Sequence, residues 1–152
     1  MCLVYLPFTR GEALIVPYNQ DRNGGLYYEM GEYFEGCSMS DPIRLGEVIR
    51  KQFQRSERKR MPTGTEREQN YRLKASKLKS NKQFEKEYAT YQVRGANSAN
   101  IIMVFESPEI LLKPLYIGAA CSAFDEVQIG NILLELHDFY RRSIHRPREI
   151  VQ

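Results

Sequence analysis

The chain has 152 residues, of which 42% are hydrophobic, so it can build one ordinary core and is short for two domains. No apolar stretch approaches the roughly 20 residues of a membrane-spanning helix, and the first apolar residues lack the basic flank of a signal peptide. Three cysteines without a CxxC pair predict free buried thiols, which are typical of a reducing compartment, so we expect a cytoplasmic protein.

The net charge of +3 is unevenly distributed along the chain. Twelve lysines and arginines but only three glutamates lie between Arg50 and Lys82. This stretch therefore has an excess of nine positive charges, which leaves the remainder of the chain with a net charge of −6. A solvated helix or loop explains such a stretch, and a phosphate-binding surface is the alternative.

The first predicted elements are short strands. Residues 2–8 and 13–18 are rich in β-branched, aromatic and aliphatic side chains, and each run ends at a polar or glycine-containing break. Residues 19–25 contain the Asn and Gly residues of a turn, and the strand-like residues 26–30 follow, so we expect a hairpin. Residues 32–36 could extend the same sheet.

An amphipathic helix is predicted to begin after Asp41. The Asp41 side chain can cap the free amides, and Pro42 suits the first helical position, where no N–H is needed. The helical stripe expected to cover the sheet comprises Leu45, Val48, Ile49 and Phe53. A basic helical segment over about 57–91 is predicted to connect this half of the chain to the second.

The second half repeats the order of strand and helix. Residues 101–105 form an unbroken apolar run that is consistent with a buried strand, and residues 110–117 predict another, whose Pro114 favours an edge position or a bulge. A helix capped by Asp125 is expected to end near Ser143. Its buried stripe would comprise Ile129, Ile132, Leu133, Leu136 and Tyr140.

Two segments of the chain are similar at a constant spacing of 84 residues. The stretches that begin at Cys37 and at Cys121 share Cys-Ser, the capping Asp and a Gly in the first helical turn, with matching aliphatic residues around that glycine. We interpret residues 1–152 as one domain with an internal duplication, whose units are about 13–56 and 97–143. The predicted fold class is α/β (α+β), with amphipathic helices of two related strand-helix units packed on an antiparallel or mixed sheet.

The sequence contains no pattern that predicts a catalytic or metal site. His137 and Asp138 are adjacent in a predicted helix and point in different directions, and His145 has no neighbour at a metal-ligand spacing. Cys37 and Cys121 follow strand-like residues and are interpreted as core thiols. We therefore expect no catalytic residues, no metal and no cofactor, and an enzyme with an unrecognised site is one of the alternatives.

Acidic and aromatic residues are mixed in the segment that follows the hairpin turn. Glu29, Glu32, Tyr33 and Glu35 combine negative charge with aromatic area, which suits contact with a basic protein partner. We predict these four residues as the partner-binding face. An ordinary exposed edge strand is the alternative interpretation.

Two features of the chain resemble the immunity proteins of bacterial contact-dependent growth inhibition systems. One is the hairpin before the first helix, and the other is the pair of units that each contain Asp-x-x-x-(Leu/Ile)-Gly-x-(Val/Ile)-(Ile/Leu). In particular the chain is similar to the family formerly catalogued as a domain of unknown function, over about residues 13–143 without the lysine-rich middle. The resemblance implies a non-enzymatic protein that binds and neutralises the C-terminal toxin domain, usually a nuclease, of a large secreted effector. It names neither the toxin nor the contact residues, and the sequence leaves the oligomeric state open. The alternative is a nucleic-acid-binding accessory protein that uses the basic segment 50–82.

Overall fold

The structure is a computed structural model that describes residues 1–9, 11–20, 27–56, 71–106 and 116–143. Seven strands form one sheet: β1 (Cys2–Pro7), β2 (Glu12–Gln20), β3 (Tyr27–Glu29), β4 (Glu35–Ser38), β5 (Tyr88–Gly95), β6 (Asn100–Glu106) and β7 (Tyr116–Ser122). The α-helices are α1 (Pro42–Arg55), α2 (Tyr71–Ser76), α3 (Asn81–Glu87) and α4 (Glu126–Ser143), and a short 3-10 helix spans Gly31–Tyr33. The predicted α+β class is confirmed. Among these helices, none combines the length and the apolar character required to cross a membrane.

The strands follow the order β3-β2-β1-β5-β6-β7, with β4 beside β3 on the outer edge of β2, and every pair is antiparallel. Strands β1 and β5 are central and pair along their length, from Cys2 opposite Val93 to Pro7 opposite Tyr88. The predicted strands at 2–8 and 13–18 and the pairing of the hairpin are confirmed. The turn predicted at 19–25 is wrong at its start, because Asn19 and Gln20 pair with β3 as part of β2, and residues 21–25 lie outside the described residues.

Both long helices begin where the sequence predicts. An Asp41 carboxylate oxygen accepts a hydrogen bond from the Arg44 amide at 3.0 Å, and an Asp125 carboxylate oxygen accepts one from the Gln128 amide at 2.9 Å. Each bond satisfies one of the amides that have no partner within a helix. Helix α4 is described as far as Ser143, and the residues after it lie outside the described part, so its predicted end near Ser143 stays a prediction.

Helices α1 and α4 cross on one face of the sheet at two glycines. A Cβ atom on Gly46 would lie 1.8 Å from the Glu126 carbonyl oxygen, and a Cβ atom on Gly130 would lie 1.8 Å from the Pro42 carbonyl oxygen. No other residue type fits at either position because every other type carries a Cβ atom. The contact is reciprocal, since each glycine meets the first residue of the other helix.

The main core lies between this helix pair and the sheet. Alternate residues of the strands point into it, and the predicted helical stripes complete it, with Phe53, Ile132 and Leu136 only partly buried. Its buried residues include Val4, Leu6, Phe8, Ile15, Leu45, Val48, Ile49, Tyr91, Val93, Ile101, Met103, Phe105, Ile129, Leu133 and Tyr140.

Residues 1–56 and 88–143 contain the same succession of three sheet strands and one long helix, apart from β3 at the edge. Across the sheet the first half contributes β4-β2-β1 and the second half contributes β5-β6-β7, so the order reads symmetrically from the central pair outwards. This is the arrangement that duplication of one unit would produce. The duplication itself stays a prediction, and these halves are larger than the predicted units 13–56 and 97–143, which omit β1 and β5.

The helical segment predicted for 57–91 is wrong at its end. Residues 71–76 and 81–87 are helical, but residues 88–91 belong to β5, and residues 57–70 lie outside the described part. Phe84 and Tyr88 are four residues apart, a spacing that fits a helical face, yet their rings stack across the junction between α3 and β5, with centroids 4.6 Å apart. From Tyr88 onwards the pairing with β1 supplies the backbone hydrogen bonds, so the strand prevails over the helix.

The second face of the sheet is covered unevenly by the described residues. Helices α2 and α3 cover the half formed by β1 and β2, where Phe84 packs with Leu3, Tyr5, Leu14 and Val16. On the other half, the Ile102 side chain is 37% exposed and Val104 is only partly buried. The strand predicted at 101–105 is present within β6, with Ile101, Met103 and Phe105 buried, whereas its other face is only partly covered by the described residues.

We expect Gly46→Ala and Gly130→Ala each to lower the free energy of unfolding by about 2 kcal/mol or more, because the added methyl group forces the helices apart. The loss should occur even though alanine is the better helix former by about 1 kcal/mol. Denaturant unfolding followed by circular dichroism measures the change. The control is Gly95→Ala, where the nearest atom to the new Cβ is a Phe53 ring carbon at 3.6 Å. Equal stability of all three variants would contradict the close-contact explanation.

Candidate functional site

The four residues of the predicted partner-binding face lie on consecutive elements along the outer edge of β2. Glu29 ends β3, Glu32 and Tyr33 belong to the 3-10 helix, and Glu35 begins β4. The structure therefore brings them into one short region. Their surroundings nevertheless divide them into two paired carboxylates and an exposed pair, Glu32 and Tyr33.

Glu29 is occupied by contacts within the protein. Its Oε1 atom accepts a hydrogen bond from the Tyr5 hydroxyl and lies 2.7 Å from Nη2 of Arg72. The same guanidinium lies 5.7 Å from the ring centroids of Tyr5 and Phe84, which places it over the aromatic cluster beneath α2 and α3. Burial raises the pKa of the Tyr5 hydroxyl well above its usual value, so this group remains a hydrogen-bond donor.

Glu35 fastens β4 to α1. Its carboxylate lies 2.8 Å from Nζ of Lys51 and 3.2 Å from Nη2 of Arg44, and it accepts a hydrogen bond from the Gln52 amide at 3.1 Å. The hydrogen bond from Lys51 is the main cause that holds the pKa of Glu35 below its usual value. Glu35 therefore contributes little uncompensated negative charge to the surface.

The 3-10 helix is held from both sides. On one side the buried Gln52 side chain of α1 donates a hydrogen bond to the Tyr33 carbonyl oxygen at 3.0 Å. On the other side the Tyr71 ring of α2 lies so close to Gly31 that a Cβ atom there would be 1.9 Å from a ring carbon. The two contacts fix the backbone that presents Glu32 and Tyr33 to solvent.

The Tyr33 ring is 36% exposed and has the Arg55 guanidinium 5.1 Å from its centroid. The cation supports one side of an otherwise accessible aromatic ring. Glu32 is exposed and forms the acidic part of this pair of side chains. Glu32 and Tyr33 are therefore the members of the predicted face that remain available to a partner.

Three residues that organise this region were missed by sequence reasoning. Gln52 has a detectable signal, because it is a polar residue on the otherwise apolar face of α1, three positions after Ile49. Arg72 and Tyr71 have none, since each acts on residues some 40 positions away in the chain. Only the tertiary structure brings α2 against the 3-10 helix.

The three thiols are buried and free of disulfides. Burial raises the pKa of Cys37 to about 11 and that of Cys2 to about 12, and it also raises the pKa of Cys121. A raised pKa leaves little of the nucleophilic thiolate at neutral pH. The prediction of buried core thiols at Cys37 and Cys121 is confirmed.

His137 is a buried residue whose two ring nitrogens both have partners. Nε2 lies 3.0 Å from the Pro7 carbonyl oxygen, and Nδ1 lies 2.9 Å from the Tyr91 hydroxyl. Because a carbonyl oxygen only accepts, Nε2 donates to Pro7, and a neutral ring would then accept from the Tyr91 hydroxyl at Nδ1. His137 therefore connects α4 to β1 and β5 within the core. Across the described ranges no three His, Cys, Asp or Glu residues cluster as metal ligands do.

Within the described part of the basic stretch, Arg50, Lys51 and Arg72 form ion pairs, and a group of exposed lysines lies on and around α2 and α3. Lys77, Lys79 and Lys82 are exposed, and so is Lys86 beyond the stretch. No carboxylate of the residues that the structure describes forms an ion pair with any of these four lysines. The contrast with Glu29 and Glu35 is clear, since those carboxylates are paired while these cations are not.

The chain was compared with protein-family models, curated proteins and solved structures. None of the three comparisons finds a match.

We expect thiol reagents to modify Cys37 and Cys121 slowly in the folded protein and rapidly after denaturation, because burial hinders access and suppresses the thiolate. Labelling followed by mass spectrometry, with and without denaturant, measures both rates. Rapid modification of either thiol in the folded protein would contradict its assignment to the core.

We expect Glu29→Gln to lower the free energy of unfolding by about 1–3 kcal/mol, because it leaves Arg72 without its carboxylate beside the aromatic cluster. Glu32→Gln is the matched control and should change stability by less than about 0.5 kcal/mol, since Glu32 is exposed. Denaturant unfolding of the two variants tests the division of the predicted face into structural and exposed members. Equal losses for both would contradict it.

Proposed function

We propose that the chain is an immunity-type inhibitor that binds and neutralises the C-terminal toxin domain of a large secreted effector, as its resemblance to contact-dependent growth inhibition immunity proteins implies. The toxin domain is proposed to be a nuclease. The inhibitor acts by occupying the toxin and performs no reaction of its own. Glu32 and Tyr33 are the proposed centre of contact, with Glu29 and Glu35 as their supports.

The observation that carries this proposal is the fixed 3-10 helix. Gln52 and Tyr71 hold its backbone from opposite sides, and Glu35 fixes the following strand through Lys51 and Arg44. A contact segment that is already ordered loses less conformational entropy when a partner binds. Preorganised segments of this kind are common in tight complexes between inhibitors and enzymes.

The chemistry of the exposed pair suits a basic partner. Glu32 can attract a positively charged surface during the encounter, while the Tyr33 ring can be buried once the complex has formed. Tyrosine is enriched among residues that dominate binding energy because it buries a large area at small entropic cost. Proteins that act on nucleic acids commonly present basic surfaces, which is the charge this pair would meet.

We expect Glu32→Lys to slow association with the toxin domain most at low salt, and Tyr33→Ala to accelerate dissociation by about tenfold or more. The probe is the catalytically inactivated C-terminal toxin domain of a contact-dependent growth inhibition effector, taken from a gene next to that for this chain, and the rates are measured by surface plasmon resonance; absence of such a gene would count against the proposal. Glu135→Lys, an equal charge reversal on α4, is the control and should change both rates less. In cells, co-expression with the active toxin domain should restore growth, and Tyr33→Ala should reduce that protection.

A different observation favours a second candidate, a nucleic-acid-binding accessory protein. The exposed lysines at 77, 79, 82 and 86 have no ion-pair partner among the described residues, as required of a surface that contacts phosphates. The same set of variants separates the two functions. If Lys79→Glu and Lys82→Glu abolish binding while Glu32→Lys and Tyr33→Ala have no effect, or if the protein binds RNA or DNA with a steep salt dependence and no toxin domain, the inhibitor proposal is overturned.

A further inference from the structure

An open cavity of about 570 Å³ lies at one end of the sheet, on the face that α2 and α3 cover only in part. Its lining includes Tyr18 and Gln20 of β2, Tyr27 of β3, and Gln92 and Arg94 of β5. A volume of this size matches pockets that bind small organic ligands. Most of the described lining residues belong to β2, β3 and β5, whose relative positions follow from the strand register, and Met1 and Ser56 complete the described lining.

The apolar wall of this cavity is a pair of tyrosines. The rings of Tyr18 and Tyr27 are stacked, with centroids 5.5 Å apart and planes inclined by 22°. Tyr27 is 47% exposed although it is one of the larger side chains, so its ring presents aromatic area to the cavity. Exposed aromatic rings of this kind bind planar heterocycles by stacking.

The cation of this cavity is Arg94, which its neighbour holds in one orientation. Both Nε and Nη2 of Arg94 donate to the same Gln92 side-chain oxygen, with Nε at 2.8 Å. The described residues provide no hydrogen-bond or ion-pair partner for the Nη1 amino group. An oriented guanidinium with a free edge matches the geometry of a phosphate or carboxylate.

Among the lining residues that the structure describes, Arg94 carries the charged side chain and none carries a carboxylate. The Gln92 side chain stands on the same wall, and its amide NH2 group is a donor that a heterocycle could use, while its oxygen accepts from Arg94. Stacked rings, an oriented guanidinium and side-chain amides are together the groups that recognise a nucleotide. Neither Glu32 nor Tyr33 contributes to this lining.

We infer that this cavity is a nucleotide site, in which the base packs against the Tyr27 ring and the phosphate contacts Arg94. The site goes beyond the proposed inhibitor function, because it uses none of the residues proposed to contact a toxin. The nucleotide can be free or can be the end of a nucleic-acid strand, since both present the same base and phosphate.

The test is titration of the purified full chain with AMP, followed by isothermal calorimetry and by NMR shifts of residues around the cavity. AMP is expected to bind at least about tenfold more tightly than adenosine or inorganic phosphate, because only AMP can stack its base on Tyr27 and place its phosphate at Arg94. A short single-stranded oligonucleotide is the second probe. Tighter binding of that strand identifies a nucleic-acid end as the source, and tighter binding of AMP identifies a free nucleotide.

Two variants connect the affinity to the named groups. Arg94→Gln should weaken AMP binding by at least about tenfold, and Tyr27→Leu by at least about fivefold, through loss of the charge-assisted contact and of stacking. Arg141→Gln, an equal charge removal on α4, should leave the affinity unchanged. Melting curves should show all three variants folded, because each substituted side chain is exposed.

The inference is overturned if AMP does not bind at millimolar concentration, or if Arg94→Gln and Tyr27→Leu bind AMP as tightly as the unmodified chain. Failure here would leave toxin binding unaffected, so the two proposals are tested separately.

Discussion

The backbone contact between α1 and α4 determines how the main core is assembled. Gly46 and Gly130 each face a carbonyl oxygen of the other helix, so the two helices approach more closely than any side chain at these positions would permit. This spacing places both helices on one face of the sheet, with α1 over β1, β2 and β4 and α4 over β7. The apolar stripes of the two helices then fill one continuous core, because protein interiors tolerate few voids larger than a water molecule. His137 depends on the same arrangement, since its two hydrogen bonds reach two different central strands.

The charge that the surface presents depends on which charged side chains are paired as much as on where they lie in the sequence. Glu29 and Glu35 have cationic partners that also anchor α2 and α1, so their negative charge stabilises the fold more than it shapes the external field. Four lysines on and around α2 and α3, Lys77, Lys79, Lys82 and Lys86, lack such partners among the described residues. A count of charges along the chain would therefore misjudge which surfaces attract a partner. Exposed and unpaired groups decide electrostatic steering, because paired charges act at short range as dipoles.

The two proposed binding regions use different supports. The 3-10 helix is fixed by contacts from α1 and α2, whereas the cavity is formed by side chains whose positions follow from strand pairing among β1, β2, β3 and β5. β3 and the helices α2 and α3 have no counterpart among the described elements of the second half. The 3-10 helix contacts α2, and Tyr27 of β3 lines the cavity, so these additional elements contribute to both regions. The shared strands β2 and β5 supply the remaining strand residues of the cavity lining, including Arg94.

The sequence by itself determined the elements whose signals are local. Asp41 and Asp125 marked the helix starts because a cap needs only the next few residues, and the apolar stripes followed from a period that the helix itself imposes. The strands at 2–8 and 13–18 and the hairpin pairing could likewise be predicted from the apolar runs and the turn residues.

The start of β5 could not be predicted from the sequence. The spacing of Phe84 and Tyr88 fits a helix, and only pairing with the strand β1 makes the chain extended from Tyr88 onwards. The sequence predicted the region of the candidate site but not that Glu29 and Glu35 are paired within the fold while Glu32 and Tyr33 are exposed. The partner of Glu29 is Arg72, which lies 43 residues away in the chain. The cavity residues Tyr18, Tyr27 and Arg94 likewise come together only when the sheet forms. Such contacts depend on the strand register and on how α2 packs, and neither leaves a pattern in the neighbouring sequence.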